Sequence, residues 1–157
     1  MVERSDMRRN RWDNLVGFWR SQGLLIADGA TDAELAEFES RQKVTIPSEF
    51  WGYLRAVNGM VQSGSNDSDS RAFSFWPLSR VKPIQIESPT SIGGEELEGI
   101  FVFADFLVCS HFYCINMNAD NVNSGQVLIC GDLLRPITNS FSEFIELYIK
   151  DASSLYI

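Results

Sequence analysis

The chain has 157 residues, 45% hydrophobic and 22% charged, with 11 Phe, 4 Trp and 4 Tyr, which suits one globular domain with a sizeable core. No apolar run reaches 18 residues, and the basic start MVERSDMRRNRW has no hydrophobic segment behind it. Neither a membrane span nor a secretory signal is therefore expected, and the expected setting is the cytoplasm. Net charge is −8, with five Arg against three acids in residues 1–20 and 8 basic against 18 acidic residues in the rest. Such an acidic body lacks the basic stripe of a nucleic-acid binder, while it keeps a protein soluble and permits a basic protein partner.

In chain order, Trp12, Leu15, Val16 and Trp19 share one helical face and predict a first helix over 8–21. In TDAELAEFESRQ, Thr31 and Glu34 have the capping-box spacing, and Leu35 and Phe38 face inward. In VTIPSEFWGYLRAVNG, Pro47 suits a helix start, with Ser48 as an alternative cap. Phe50, Trp51, Leu54 and Val57 form its stripe, and Asn58-Gly59 reads as a left-handed stop. Residues 31–59 thus read as a helical hairpin. Residues 62–70 read as an exposed polar loop, Phe73 to Leu78 as a strand running into a turn, and 87–99 as a second, acidic loop. IFVFADFL, CSHFYCINM and GQVLICGD read as three strands of an antiparallel meander. Ser140, three residues before Glu143, opens a last helix with Phe141, Phe144, Ile145 and Tyr148 inward. The sum is α+β: a single domain with a central, mainly antiparallel twisted sheet, helices packed on it, an N-terminal helical hairpin and a C-terminal helix.

Motifs with chemistry are scarce. Cys109, Cys114 and Cys130 form no C-x-x-C pair and sit in apolar runs, as small hydrophobes do. Cys109 and the single histidine, His111, share a strand face in this reading, but two ligands do not make a metal site and no third group orients a dyad. SIGGEELEG matches neither phosphate-loop pattern. Asp105, among large apolar neighbours in FADF, is expected to bond nearby backbone at a strand end; with His111 it is kept as a candidate polar site. No catalytic residue, metal or cofactor is expected.

TDAELAEFESRQKVTIPSEFWGYLRAVNGM resembles the signature helices of the SUKH superfamily at Glu34, Leu35, Phe38, Glu39, Ile46, Pro47, Phe50, Leu54, Asn58 and Gly59. Trp76 and Leu78 resemble the family's Trp-x-Leu strand, residues 100–116 its central sheet segment, and Ser140, Phe141, Phe144 and Tyr148 its closing helix. The resemblance spans about residues 31–151, leaving the first helix as an addition. It implies a non-enzymatic, partner-binding α+β domain. Many members are immunity proteins that neutralise polymorphic or contact-dependent toxins, often nucleases; others are interaction or regulatory modules without a toxin. On the immunity reading, a toxin domain is the expected partner, with no membrane or direct nucleic-acid contact. The acids expected to be exposed and to meet it are Asp67, Asp69, Glu95, Glu96 and Glu98.

Overall fold

The computed structural model describes residues 2–61, 68–84, 98–131 and 134–156, with side chains from Trp12 onward. Its helices are α1 (Val2–Ser21), α2 (Asp32–Gln42), α3 (Ser48–Ala56) and α4 (Phe141–Lys150), followed by a 3-10 turn at Ser153–Leu155. Its strands are β1 (Phe73–Phe75), β2 (Lys82–Pro83), β3 (Ile100–Phe106), β4 (His111–Asn116), β5 (Val127–Cys130) and β6 (Leu134–Thr138).

The α2 start follows the spacing in the sequence. Thr31 Oγ1 accepts the Glu34 N–H and Glu34 returns a carboxylate to the Thr31 N–H, so two otherwise orphaned donors are satisfied. At the start of α4 the Ser140 hydroxyl oxygen accepts the Glu143 N–H. Pro47 takes the N-cap position of α3 without a side-chain bond, and Ser48 is the first helical residue. The link from α2 to α3 is held by the Ile46 N–H on Glu39, and Asp32 accepts from Trp51 Nε1 and pairs with Arg55.

The strands form one open antiparallel sheet in the order β1-β3-β4-β5-β6, with β2 beside β1 on the same edge of β3. The fold is therefore α+β, helices against an antiparallel sheet. The sequence reading missed β6. Its Pro136 cannot donate to a ladder, which argues against a central strand but is tolerated at a sheet edge, where β6 lies. A bulge between Val102 and Ala104 sets Phe103 off the regular register. Its ring lies against Phe50, Phe141 and Phe144.

The helices' rings pack on one face of the sheet. Trp19 meets Phe75, Phe38 meets Phe101, and Tyr148 meets Phe73 and Phe75. Trp12, Leu15, Phe38, Phe50, Leu54, Phe141, Phe144 and Tyr148 are all buried there, as their spacing predicts, and Tyr53 joins them. The opposite face carries Ser74, Trp76, Asp105 and Phe112, because side chains alternate along a strand.

Asn58-Gly59 does something other than stop a helix. The C-cap of α3 is Val57, in extended conformation. Gly59 lies beyond it at φ 68, and a Cβ there would stand 2.5 Å from the Trp76 carbonyl carbon and oxygen. Asn58 Oδ1 accepts the Leu78 N–H at 2.7 Å, and the Met60 N–H bonds the Phe75 carbonyl. The pair therefore clamps the Trp76–Leu78 segment onto the end of α3. Only glycine allows both the left-handed backbone and the close approach.

Candidate functional site

Two acids stand out because both are buried, and a buried carboxylate needs partners. Asp105, on β3, points away from the helices. Its Oδ2 accepts Trp76 Nε1–H at 2.6 Å, its Oδ1 accepts the Cys109 N–H at 3.2 Å, and Arg80 Nη2 lies 3.7 Å away. The Arg80 guanidinium carbon also lies over the Trp76 ring, 4.0 Å from its centroid, with Lys82 Nζ 5.7 Å from the same ring. Such cation–ring contacts are worth about 0.5–1 kcal/mol when partly exposed.

The turn between β3 and β4 leans on this carboxylate. Leu107, Val108 and Cys109 have φ of 52, 49 and 66, three successive left-handed residues without a glycine. Each costs roughly 1–2 kcal/mol against a right-handed backbone, and Val108 is β-branched, the least tolerant type. The turn is held by the Cys109 N–H on Asp105, the Ser110 N–H on the Phe106 carbonyl, and the Leu107 N–H on the carbonyl of Ala72, itself at φ 71. Beneath it opens a cleft of about 360 Å³ lined by Ser68, Ala72, Ser74, Arg80, Asp105 and residues 107–109. Leu107 is 53% and Val108 93% exposed at its mouth.

Asp69 corrects an expectation. Read as an exposed loop acid, it is 6% exposed. Its Oδ1 accepts the N–H groups of Arg71 and Phe73, and its Oδ2 accepts the Tyr148 hydroxyl, which in turn accepts Trp19 Nε1–H at 2.9 Å. Arg71 then bonds the Tyr148 carbonyl and pairs with Asp151, to which Tyr156 also donates. Burial, reinforced by the Asp69 charge and hydrogen bond, pushes the Tyr148 hydroxyl far above the ordinary tyrosine range. Tyr156 is pushed up to about 12, by burial first and Asp151 second.

Among the other expected site residues, Glu98 is exposed, while Asp67, Glu95 and Glu96 lie outside the described residues. Asp105 and His111 do not converge: Asp105 is opposite Phe112 and His111 opposite Phe106, so they project from opposite faces. Cys109 is in the turn rather than on the strand, and is exposed rather than packed. The strand-parity link between Cys109 and His111 therefore does not hold. Cys114 and Cys130 are buried, which raises both thiols. Among the described residues, no three His, Cys, Asp or Glu side chains are placed to hold a metal ion. None of the described helices is long and apolar enough to cross a membrane.

Trp76, Leu78, Asn58 and Gly59, spread through the sequence, thus meet beside Asp105 at one end of the sheet. The family model of the SMI1 / KNR4 family (SUKH-1) matches residues 29–147, most of the chain. The chain belongs to that family. No curated protein matches the sequence. The family match takes in both buried acids, β1 to β6 and most of α4, and leaves α1 outside it. What sequence reasoning missed is the cleft. Its signal was present in part, as Asp105 between apolar residues and the family's Trp-x-Leu, but left-handed backbone at Leu107–Cys109 has no glycine or asparagine to announce it.

Proposed function

We propose that this protein acts by binding another protein, as an immunity protein that occludes a cognate toxin in the cytoplasm. The observation that carries this reading is the SMI1/KNR4 (SUKH-1) match over residues 29–147. The charge supports it: a body of net −8 attracts a basic partner, such as a nuclease with a cationic cleft. Glu98 is available at the surface for such an encounter, and Asp67, Glu95 and Glu96 are proposed alongside it. Asp69 is reassigned to a structural role by its burial. The tryptophans are a poor source of anchoring contacts, since Trp12, Trp19 and Trp76 are buried in the fold and Trp51 is partly buried. The reading is binding rather than catalysis, with no cofactor.

The test is co-expression with the product of the neighbouring gene. Growth should be restored by this chain and lost again when Glu98 and the acids of 87–97 are replaced by Lys. If the neighbouring product is not toxic, or is toxic and neither bound nor neutralised, the immunity reading fails. The same family match supports one other reading, a regulatory interaction module without a toxin. That reading predicts no toxin domain beside the gene.

A further inference from the structure

We propose that a second cleft, where α1 meets the start of α3, is a docking groove for an extended, proline-rich segment of a partner protein. The proposal rests on the partner-binding reading above and assigns it a surface. The observation that carries it is an indole. Of the four tryptophans, three donate: Trp19 Nε1–H to the Tyr148 hydroxyl, Trp51 Nε1–H to Asp32 and Trp76 Nε1–H to Asp105. Trp12 is 2% exposed, yet its Nε1–H has no hydrogen-bond partner among the described residues. A buried donor without an acceptor is costly, so such a group calls for an explanation. The Trp12 ring packs on Tyr53 and Phe141, and it lines a cleft of about 640 Å³ with Pro47, Ser48, Trp51 and Gly52. Gly52 keeps the donor edge uncovered: a Cβ added there would meet Trp12 Nε1 at 3.4 Å.

The rest of the wall also supplies donors. The N-cap of α3 is Pro47, so no side chain caps the first N–H groups of this nine-residue helix. The exposed hydroxyl residues Thr45, Ser48 and Ser124 stand around that helix start. The acid of the cleft is Glu49, whose Oε1 accepts the Ser142 N–H at 3.1 Å. A helix start alone welcomes an anion, but the Glu49 charge makes a second carboxylate a poor visitor here. The visitor that fits is a neutral acceptor. A proline-rich segment is one: each proline brings a carbonyl and no N–H, and the polyproline II backbone leaves its carbonyls unbonded and is shaped before it binds. Trp51 and Pro47, both partly exposed, give its rings an apolar wall. The shape suits an extended chain, because an adjoining cleft of about 180 Å³ shares Pro47, Ser48, Glu49 and Ser124 and runs on to Asn139 and Phe141 at the start of α4. Trp12 lies in α1, outside the family match, so the open donor is this chain's addition to the matched frame.

The experiment pans a random phage-displayed peptide library against the full chain, then titrates enriched synthetic peptides while the indole N–H resonances are followed by NMR. Enriched peptides are expected to carry several prolines and to shift the Trp12 indole N–H, leaving those of Trp19 and Trp76, already bonded, in place. Gly52→Leu fills the cleft from a helical position where leucine is better tolerated than glycine. It is expected to weaken binding about tenfold while the urea midpoint is kept or raised. Trp12→Phe, which takes away the donor, should weaken binding about fivefold. Val108→Asp, at the other cleft, should bind as wild type does. The groove is overturned if no peptides enrich, if enriched peptides lack proline, if they bind without shifting the Trp12 indole, or if Gly52→Leu binds as wild type does. A second arm repeats the rescue test with Gly52→Leu. Loss of rescue, with wild-type rescue intact, assigns this groove to the toxin, and full rescue overturns that assignment. Where wild type itself does not rescue, the toxin reading falls and the peptide result alone upholds or overturns the groove.

Discussion

Asp69 and Asp105 are both buried acids next to the β1 segment, yet they sit in opposite kinds of surroundings. Asp69 closes a knot on the helix side. Two backbone N–H groups and the Tyr148 hydroxyl fill its oxygens, and Trp19 and Arg71 extend the network to α1 and the C-terminal turn. Asp105 faces a cleft on the other side of the sheet. It is bonded to one indole and one turn amide, with Arg80 at the edge of reach. The first arrangement ties α1, the loop before β1, and α4 into one unit. The second sets the shape of an exposed turn. A buried acid is thus not by itself a site; what distinguishes the two is whether its network ends inside the fold or at the surface.

The largest test of this contrast is Asp69→Ala against Asp105→Ala. Removing Asp69 leaves a buried hydroxyl and two amides without an acceptor, and should cost about 3–5 kcal/mol. Removing Asp105 orphans the Trp76 indole and frees a solvent-accessible amide, and should cost about 2 kcal/mol. Urea midpoints measure both. An Asp105→Ala loss equal to or above that of Asp69→Ala would sink the distinction.

Tyr148→Phe probes the closed knot more finely. It deprives Asp69 and Trp19 of a partner and should cost about 2 kcal/mol at neutral pH. The pH dependence has a definite sign. Tyrosines in the unfolded chain ionise near about 10, whereas burial holds Tyr53, Tyr113 and Tyr148 protonated to much higher pH, and Tyr156 to about 12. The stabilisation is complete below about pH 10 and is lost as pH rises, because the unfolded state then gives up protons that the folded state keeps. Wild type should lose about 1.4 kcal/mol per pH unit more than Tyr148→Phe above that point. Urea unfolding at several pH values from about 9 to about 11 should show the two proteins converging. Parallel curves would mean that the hydroxyl is not held as described.

These two regions were unequally legible in the sequence. Helix caps, the aromatic stripes of α1, α3 and α4, and the central strands follow from spacings of three, four or two residues, which are local. The hydroxyl that fixes Asp69 comes from Tyr148, 79 residues away, so a polar loop context pointed to solvent while the side chain turned inward. The role of Asn58-Gly59 was hidden for the same reason: its counterpart is Trp76–Leu78, and the pair also makes sense as a helix stop. β6 was masked by Pro136 and the strained turn by ordinary aliphatic residues. The cleft was visible only as fragments, a buried Asp in one place and a Trp-x-Leu in another.

The smallest expected effect is also the most discriminating for the open region. Val108 is 93% exposed, so its side chain contributes almost no packing, yet it holds a left-handed backbone that a β-branched residue resists. Val108→Gly removes a cost of about 1–2 kcal/mol, while the greater freedom of glycine in the unfolded chain returns about 0.5–1 kcal/mol of it. The substitution should therefore stabilise the protein by about 0.5–1 kcal/mol, read as a higher urea midpoint. Leu107→Gly should gain less, because Leu107 is 53% exposed and part of its side chain is packed. A Val108→Gly protein that is less stable than wild type would show that the turn stores no strain, and would remove the main reason to regard the open region as more than a second structural knot.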